Sequence, residues 1–176
     1  MALAIGEHAI PFDLPGVDGK NHTLADYGDR EAIAIIFTCN HCPYVLAWEG
    51  RLIAVQRDYA DKGVQLIGIG SNDAAKYPAD NFENMKQHAA DKNFNFPYLR
   101  DETQEVATAY GAERTPEIFL FDKTGKLRYH GTIDDNYENP DAVSATYFRD
   151  ALDAMLADSS IETPQTAPVG CTIKWK

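Results

Sequence analysis

The feature that most constrains the fold of this chain is an apolar run that ends in two cysteines. Residues 32–37 carry no charge and include three isoleucines, a composition typical of a β-strand buried on both faces of its sheet. Cys39 and Cys42 follow this run, and Pro43 stands where the first turn of a helix tolerates a missing N–H group. The two cysteines are therefore predicted to lie at a strand-to-helix junction.

A helix N-terminus favours negative charge, because its first N–H groups have no partner inside the helix. A cysteine in that position has a lowered pKa and a reactive thiolate. We expect Cys39 to be exposed at the start of the helix and Cys42 to lie one turn further in. Two unreactive buried thiols are the alternative. A zinc site is a third interpretation, although the sequence contains no second CxxC or HxxxH that would complete four ligands.

Composition and charge restrict the possible partners. The chain has 176 residues, of which 44% are apolar, so one domain with a full-sized core is expected. Its 27 acidic residues outnumber the 16 lysines and arginines, which makes nucleic acids and anionic membranes poor partners. The short apolar stretch at the N-terminus lacks a preceding basic region, and we therefore expect a cytoplasmic location. Three cysteines are too few for a disulfide scaffold and favour redox chemistry or metal binding.

Strand and helix patterns alternate along the rest of the chain. This alternation predicts an α/β fold with a central mixed β-sheet covered by helices on both faces. Residues 1–158 are assigned to this domain, and residues 159–176 to a C-terminal tail packed on it. The predicted order is a hairpin within 1–31, strand 32–37, helix 43–62, strand 64–69, helix 78–92, strand 94–101, helix 103–110, strand 117–122, strand 127–133 and helix 140–157.

Polar residues follow several of these strands at the end where parallel strands place their functional groups. Strands that run back toward this end also place their flanking loops there. We therefore expect these side chains to lie together along one rim of the sheet. They are Asn40, His41, Asn72, Asp73, Arg114, Thr115, Asp134, Asp135 and Asn136.

The motifs of the chain resemble those of the thioredoxin superfamily. CNHC at residues 39–42 and a Thr-Pro that opens a strand at residues 115–116 carry this resemblance. FTCNHCPYV, SND, FPYLRDETQEVATAYGA, RTPEIFLFD, YHGTIDDN and GCTIKWK together resemble its peroxiredoxin-like (redoxin, AhpC/TSA-type) branch of bacterial thioredoxin-domain proteins. The resemblance implies a thioredoxin-like fold with an N-terminal hairpin extension and a helix–strand insertion of the peroxiredoxin-like type.

The resemblance also implies a function. Cys39 would attack a disulfide and Cys42 would resolve the mixed disulfide, as in a thiol–disulfide oxidoreductase that needs no cofactor and no metal. Pro116 would be a cis-proline that leaves the backbone of Thr115 free to pair with a partner strand. The partner would be a protein or a small-molecule thiol or disulfide. A thiol peroxidase with an antioxidant role is the alternative, and a metal-binding or partner-binding redox module comes third. The oligomeric state stays open.

Two charged residues have two interpretations each. His41 precedes the second cysteine, as in the disulfide-forming branch of the superfamily, and a cationic imidazole there would stabilise the Cys39 thiolate; a solvated loop residue is the alternative. Arg114 stands where peroxiredoxins hold an arginine against the reactive sulfur, with Cys42-Pro43 resembling their Cys-Pro. Ile35 and Cys39 replace two other residues of that motif, so an arginine paired with an acidic neighbour, Glu113 or Asp73, is an equal alternative.

Cys171 lies in the tail, near Ile173 and Trp175. We interpret it as a packing residue, because a thiol between apolar neighbours behaves as a small hydrophobe. A third redox thiol is the alternative.

Overall fold

A computed structural model describes all 176 residues. Its centre is a mixed sheet of five strands in the order β5-β4-β3-β7-β8. The strands are β1 (Asp13–Pro15), β2 (Asn21–Thr23), β3 (Ala32–Thr38), β4 (Val64–Gly70), β5 (Tyr98–Arg100), β6 (Arg114–Thr115), β7 (Glu117–Asp122), β8 (Leu127–Gly131) and β9 (Cys171–Thr172). The helices are α1 (Pro43–Tyr59), α2 (Phe82–Asp91), α3 (Glu105–Tyr110) and α4 (Tyr147–Leu156).

The apolar run of the sequence forms β3, the middle strand of the sheet. It pairs in parallel with β4, so that Thr38 lies opposite Gly70 at the end where both strands leave the sheet. It pairs antiparallel with β7, so that Phe37 lies opposite Glu117 at the same end. The loop after β3 and the segment before β7 are consequently neighbours. This pairing sets the position of every residue in the site described below.

Both faces of the sheet are covered by other elements. Successive side chains of β3 point to opposite faces, so this strand contributes side chains to both cores. One face packs against α1 and α4 through the buried side chains Ala34, Ile36, Trp48, Leu52, Phe148 and Leu152. The other face packs against α3 and both ends of the chain through Phe12, Ile35, Phe37, Tyr110 and Ile173. Each large apolar side chain buried in this way contributes about 2–3 kcal/mol. The predicted mixed sheet flanked by helices is confirmed.

Several predicted elements are shorter than expected. The helix predicted for residues 78–92 is a 3-10 turn at Pro78–Asp80 followed by α2, because Asn81 caps α2 by accepting the N–H of Asn84. The helix predicted for residues 140–157 begins only at Tyr147. The strand predicted for residues 94–101 contains only β5. The N-terminal hairpin is formed by β1 and β2.

The C-terminal tail is in contact with the sheet at two places. The backbone N–H of His130 in β8 donates to Pro164, and Thr166 donates in return to His130. Further on, β9 forms an antiparallel pair with β6. No helix of the structure combines the length and the apolar character that crossing a membrane would require.

Candidate active site

Cys39 and Cys42 lie at the junction between β3 and α1. The strand ends at Thr38, and Cys42 is the N-cap residue of α1, directly before Pro43. The side chain of Cys39 is only 2% exposed and that of Cys42 only 1% exposed. The expectation that Cys39 is exposed at the start of the helix is therefore wrong, because its side chain packs with Cys42 and Val45 in a small buried cluster.

Thr115 contacts both sulfur atoms. Its hydroxyl is 3.6 Å from the sulfur of Cys39, and its carbonyl oxygen is 3.4 Å from the sulfur of Cys42. Thr115 is itself buried, and its peptide bond to Pro116 is cis. The end of β3 and the start of β7 thus bring the four residues together, as the pairing of these strands requires.

A third sulfur atom belongs to the same cluster. The sulfur of Cys171 lies 2.7 Å from that of Cys42, although 129 positions separate the two residues in the chain. All three cysteines are free thiols, and Cys171 is the only one of the three that is partly exposed. Its contact with Cys42 goes beyond the apolar packing that we inferred from its neighbours in the sequence.

The tail also occupies the edge beside Thr115. Strand β9 pairs with β6 so that Cys171 lies opposite Thr115 and Thr172 lies opposite Arg114. The expectation that the backbone of Thr115 is free for a partner strand is therefore wrong. Gly170 makes this approach possible, because a Cβ atom at this position would lie 2.0 Å from the carbonyl oxygen of Thr115.

The three thiols differ in acidity. The hydrogen bond from the Cys39 thiol lowers the pKa of Cys42 well below its ordinary range, and the Cys171 thiol adds to the effect against the opposing influence of burial. The same hydrogen bond, burial and the charge of Asp80 raise the pKa of Cys39. Burial, and then Cys42, raise the pKa of Cys171 to about 11. These shifts favour Cys42 as the more acidic of the two buried thiols, whereas the sequence favours Cys39.

A buried carboxylate, Asp80, holds the loop that contains the cysteines. It is 2% exposed and accepts hydrogen bonds from the backbone N–H of Asn40 at 2.7 Å and the side-chain amide of Asn72 at 2.8 Å. The hydroxyl of the buried Tyr98 donates to the side-chain oxygen of Asn40 at 2.8 Å. Sequence reasoning missed Asp80 because residues 78–92 were predicted as one helix. The Pro78 start and the Asn81 cap are the local signals for a turn there.

His41 is directed at this carboxylate. Its Nδ1 lies 2.7 Å from Asp80, and its ring stacks on Tyr77. The ligand atoms of Cys39, His41 and Asp80 lie within 4.8 Å of one another, which is compatible with a small cation. However, both oxygen atoms of Asp80 already accept hydrogen bonds. The arrangement therefore serves first to fix the loop beside Cys39.

The other residues expected at the rim divide into two groups. Arg114 is exposed and donates to the carbonyl oxygen of Gly170 at 3.3 Å, so neither of the acidic neighbours considered for it is its partner. Asp73 and Asn72 contact the tail, since the backbone N–H of Asp73 donates to Lys174 and the N–H of Lys174 donates to Asn72. These contacts connect the rim to the C-terminal residues.

The acidic turn after β8 serves a different purpose. Asp134 accepts hydrogen bonds from the indole N–H of Trp48 at 2.9 Å and from the guanidinium of Arg51. Asp135 pairs with Ser144, and the backbone N–H of Asn136 donates to Asp134. These residues join the turn to α1 and to the segment before α4 rather than to the cysteines.

The sequence and structure of the chain match those of known proteins. The model of the AhpC/TSA family matches residues 5–130. An uncharacterized conserved protein from Geobacillus kaustophilus has a similar structure, with a TM-score of 0.93 and 43% identity over 98% of this chain and 93% of that chain.

Two relatives with named activities are more distant. The thiol-disulfide oxidoreductase ResA of Geobacillus thermodenitrificans is 26% identical over 129 residues, which cover 72% of this chain and 68% of the relative. A candidate peroxiredoxin of Mycobacterium tuberculosis is 26% identical over 134 residues, which cover 76% of this chain and 80% of the relative. This chain therefore belongs to the AhpC/TSA family and is an oxidoreductase of thioredoxin-like fold.

Proposed function

We propose that the protein is a thiol–disulfide oxidoreductase in which Cys39 and Cys42 alternate between a dithiol and a disulfide. The observation that carries this proposal is that both sulfur atoms lie beside Thr115, at 3.6 Å and 3.4 Å from its two oxygen atoms. Two thiols held together at the start of a helix can form and break a disulfide without a cofactor. The partner would be a protein or a small-molecule thiol or disulfide.

The reaction begins with a thiolate that attacks a disulfide of the partner. Cys42 is the better candidate for this role than Cys39, because it is the N-cap residue and its pKa is lowered. The attack leaves a mixed disulfide at Cys42 and releases one partner sulfur as a thiolate. Cys39 then attacks the sulfur of Cys42 and releases the second. Asp80 and His41 lie on the Cys39 side and would accept the proton that Cys39 loses.

A peroxiredoxin-like thiol peroxidase is the second candidate. The position and lowered pKa of Cys42 favour it, because a peroxidatic cysteine also lies at a helix start. A peroxidase additionally needs donors aimed at the developing oxyanion. The guanidinium of Arg114 donates instead to the backbone of Gly170. We therefore place disulfide exchange first and an antioxidant role second.

Replacement of Cys42 by serine tests the two candidates together. We expect Cys42→Ser to lower the catalysed reduction of insulin disulfides by dithiothreitol at least about 100-fold, because neither a mixed disulfide nor a Cys39–Cys42 disulfide can form at this position. Arg57→Gln, on the exposed surface of α1, is the control and should leave insulin reduction unchanged. Hydrogen peroxide consumption is measured in parallel. Insulin reduction that survives in Cys42→Ser would overturn the proposal, and peroxide turnover faster than insulin reduction would put the peroxidase first.

A further inference from the structure

Both cysteines of the proposed reaction are covered by the C-terminal tail. Cys39 and Cys42 are 2% and 1% exposed, whereas Cys171, whose sulfur contacts that of Cys42, is partly exposed. Of the three thiols, Cys171 is therefore the most accessible to a partner.

The tail is positioned for this contact on both sides of Cys171. On one side, Gly170 lies so close to the carbonyl of Thr115 that a Cβ atom would be 2.0 Å from its oxygen. On the other side, Ile173 is 3% exposed and its N–H donates to the carbonyl oxygen of Glu113 at 2.9 Å. The position of the Cys171 sulfur is thus set by backbone pairing and by a buried side chain.

We propose that Cys171 is a third redox-active thiol, which forms a disulfide with Cys42 and carries electrons between the buried Cys39–Cys42 pair and a dithiol partner. The proposal rests on the proposed exchange function and names a further catalytic residue for it. The two sulfur atoms are 2.7 Å apart, so a small movement brings them to the bond length of about 2.05 Å. Strand β9 occupies the place that an exchanging partner strand would take beside β6.

The exchange within the protein conserves atoms and electrons. The thiolate of Cys171 attacks the sulfur of Cys42 in the Cys39–Cys42 disulfide, the Cys42–Cys171 bond forms, and Cys39 leaves as a thiolate. Cys39 takes up one proton in place of the one that Cys171 lost. One disulfide is present before and after this step, so it requires no further oxidant or reductant.

Groups that raise and groups that lower the pKa of Cys171 lie beside it. Burial and the neighbouring Cys42 raise its pKa to about 11, and the positive charges of Lys174 and Arg114 oppose this rise. Once Cys42 is part of a disulfide, it has no negative charge and its contribution disappears. Cys171 is then more acidic than in the fully reduced protein.

The exchange with the outside begins at the exposed sulfur. One thiolate of the dithiol partner attacks Cys171 in the Cys42–Cys171 disulfide, and Cys42 leaves as a thiolate. A thiol of low pKa is the better leaving group, and the pKa of Cys42 is lowered. The second thiol of the partner then displaces Cys171. The partner ends as a disulfide, and the protein ends with three free thiols.

The test uses the full chain with the Cys39→Ser substitution, in which Cys42 and Cys171 are the two remaining cysteines. The purified protein is oxidised with diamide, quenched in acid with N-ethylmaleimide and digested for mass spectrometry. We expect a monomer in which the peptides of Cys42 and Cys171 are joined by a disulfide. Two alkylated thiols under conditions that fully oxidise the wild type, or a disulfide only between two chains, would overturn the proposal.

A second variant tests whether the position of the tail, and not only the presence of the two thiols, controls formation of the disulfide. In the Cys39→Ser protein, Gly170→Ala should slow formation of the Cys42–Cys171 disulfide about tenfold or more, because it displaces the strand that holds the sulfur in place. Gly50→Ala is the matched control, since a Cβ atom at Gly50 meets nothing within 4 Å. Equal rates in the two variants would overturn the proposal. Insulin reduction tests the exchange function separately, so either can fail alone.

Discussion

The two sides of Cys42 differ in charge and in exposure. On one side lies Cys39, which is 2% exposed and whose pKa is raised by its hydrogen bond with Cys42, by burial and by the charge of the buried Asp80. On the other side lies Cys171, which is partly exposed and whose pKa burial and Cys42 raise, with the positive charges of Lys174 and Arg114 opposing this rise. A buried negative charge therefore lies beside the inner neighbour of Cys42, whereas the outer neighbour has access to solvent and to positive charge.

The two sides also differ in how they are held. Cys39 directly follows β3, the middle strand of the sheet, which pairs with β4 along its whole length and with β7 from Ala32 to Phe37. Cys171 lies in a strand of two residues that pairs with another strand of two residues. The inner side therefore depends on the core of the domain, and the outer side depends on a few contacts of the tail. Substitutions in the tail should slow formation of the Cys42–Cys171 disulfide and leave the rate of Cys39–Cys42 disulfide formation unchanged.

Among substitutions in the tail, we expect the largest effect from replacement of Ile173. Its side chain is 3% exposed and packs with the cluster that contains Phe37. Ile173→Ala should cost about 2 kcal/mol or more of unfolding free energy, measured by urea denaturation. In the Cys39→Ser protein it should also slow Cys42–Cys171 disulfide formation about tenfold or more.

The control for this variant is Val169→Ala, because Val169 lies in the same tail and is 40% exposed. It should change neither stability nor the rate of disulfide formation. In proteins that retain Cys39 but carry Cys171→Ser, both substitutions should leave the rate of Cys39–Cys42 disulfide formation unchanged. If Ile173→Ala slowed both disulfides equally, the two sides of Cys42 would not be independent.

The sequence predicts the inner side of Cys42 better than the outer side. The apolar run before Cys39 and the proline after Cys42 are local signals, and they place both residues at a strand-to-helix junction before any contact is known. The contact between Cys42 and Cys171 spans 129 positions and depends on how the last residues pair with β6. No local pattern around Cys171 indicates that pairing, although Gly170 is a residue type that permits close backbone approach.

Asp80 was missed for a related reason. Its position in the sequence suits the first turn of an amphipathic helix, but Asn81 begins the helix after it and leaves Asp80 in a buried turn. Its three partners, Asn40, His41 and Asn72, come from two loops that only the parallel pairing of β3 and β4 brings together. The expected rim therefore contained the partners of the carboxylate without the carboxylate itself.

An intermediate effect is expected from Asp80→Asn, which tests the acidic character of the inner side. The charge of Asp80 raises the pKa of Cys39. Removal of the Asp80 charge should lower that pKa. Cys39 should then be alkylated severalfold faster by iodoacetamide at neutral pH, and the pH at which its alkylation rate is half-maximal should decrease. The measurement uses the Cys42→Ser, Cys171→Ser background, in which Cys39 is the only thiol. Glu83→Gln is the control, because Glu83 is an exposed carboxylate paired with Lys86. A profile for Asp80→Asn that coincides with that of Glu83→Gln would show that the charge of Asp80 does not control the acidity of Cys39.

The smallest expected effect comes from the positive charges of the outer side. Arg114 is exposed, so water and salt screen its influence on Cys171. Arg114→Gln should raise the pKa of Cys171 and thereby slow its attack on the Cys39–Cys42 disulfide about twofold at low ionic strength, in line with the small energies of exposed charges. The rate is measured in the otherwise unchanged chain, by oxidising it, quenching at intervals and quantifying the two disulfides by mass spectrometry.

Arg57→Gln, on the exposed surface of α1, is the control and should show no change. The difference between the two variants should disappear in 1 M salt, because the Debye length there is only about 3 Å. A difference that persists in salt would mean that Arg114 acts through its hydrogen bond to Gly170, as a positioning residue for the tail, and not through its charge.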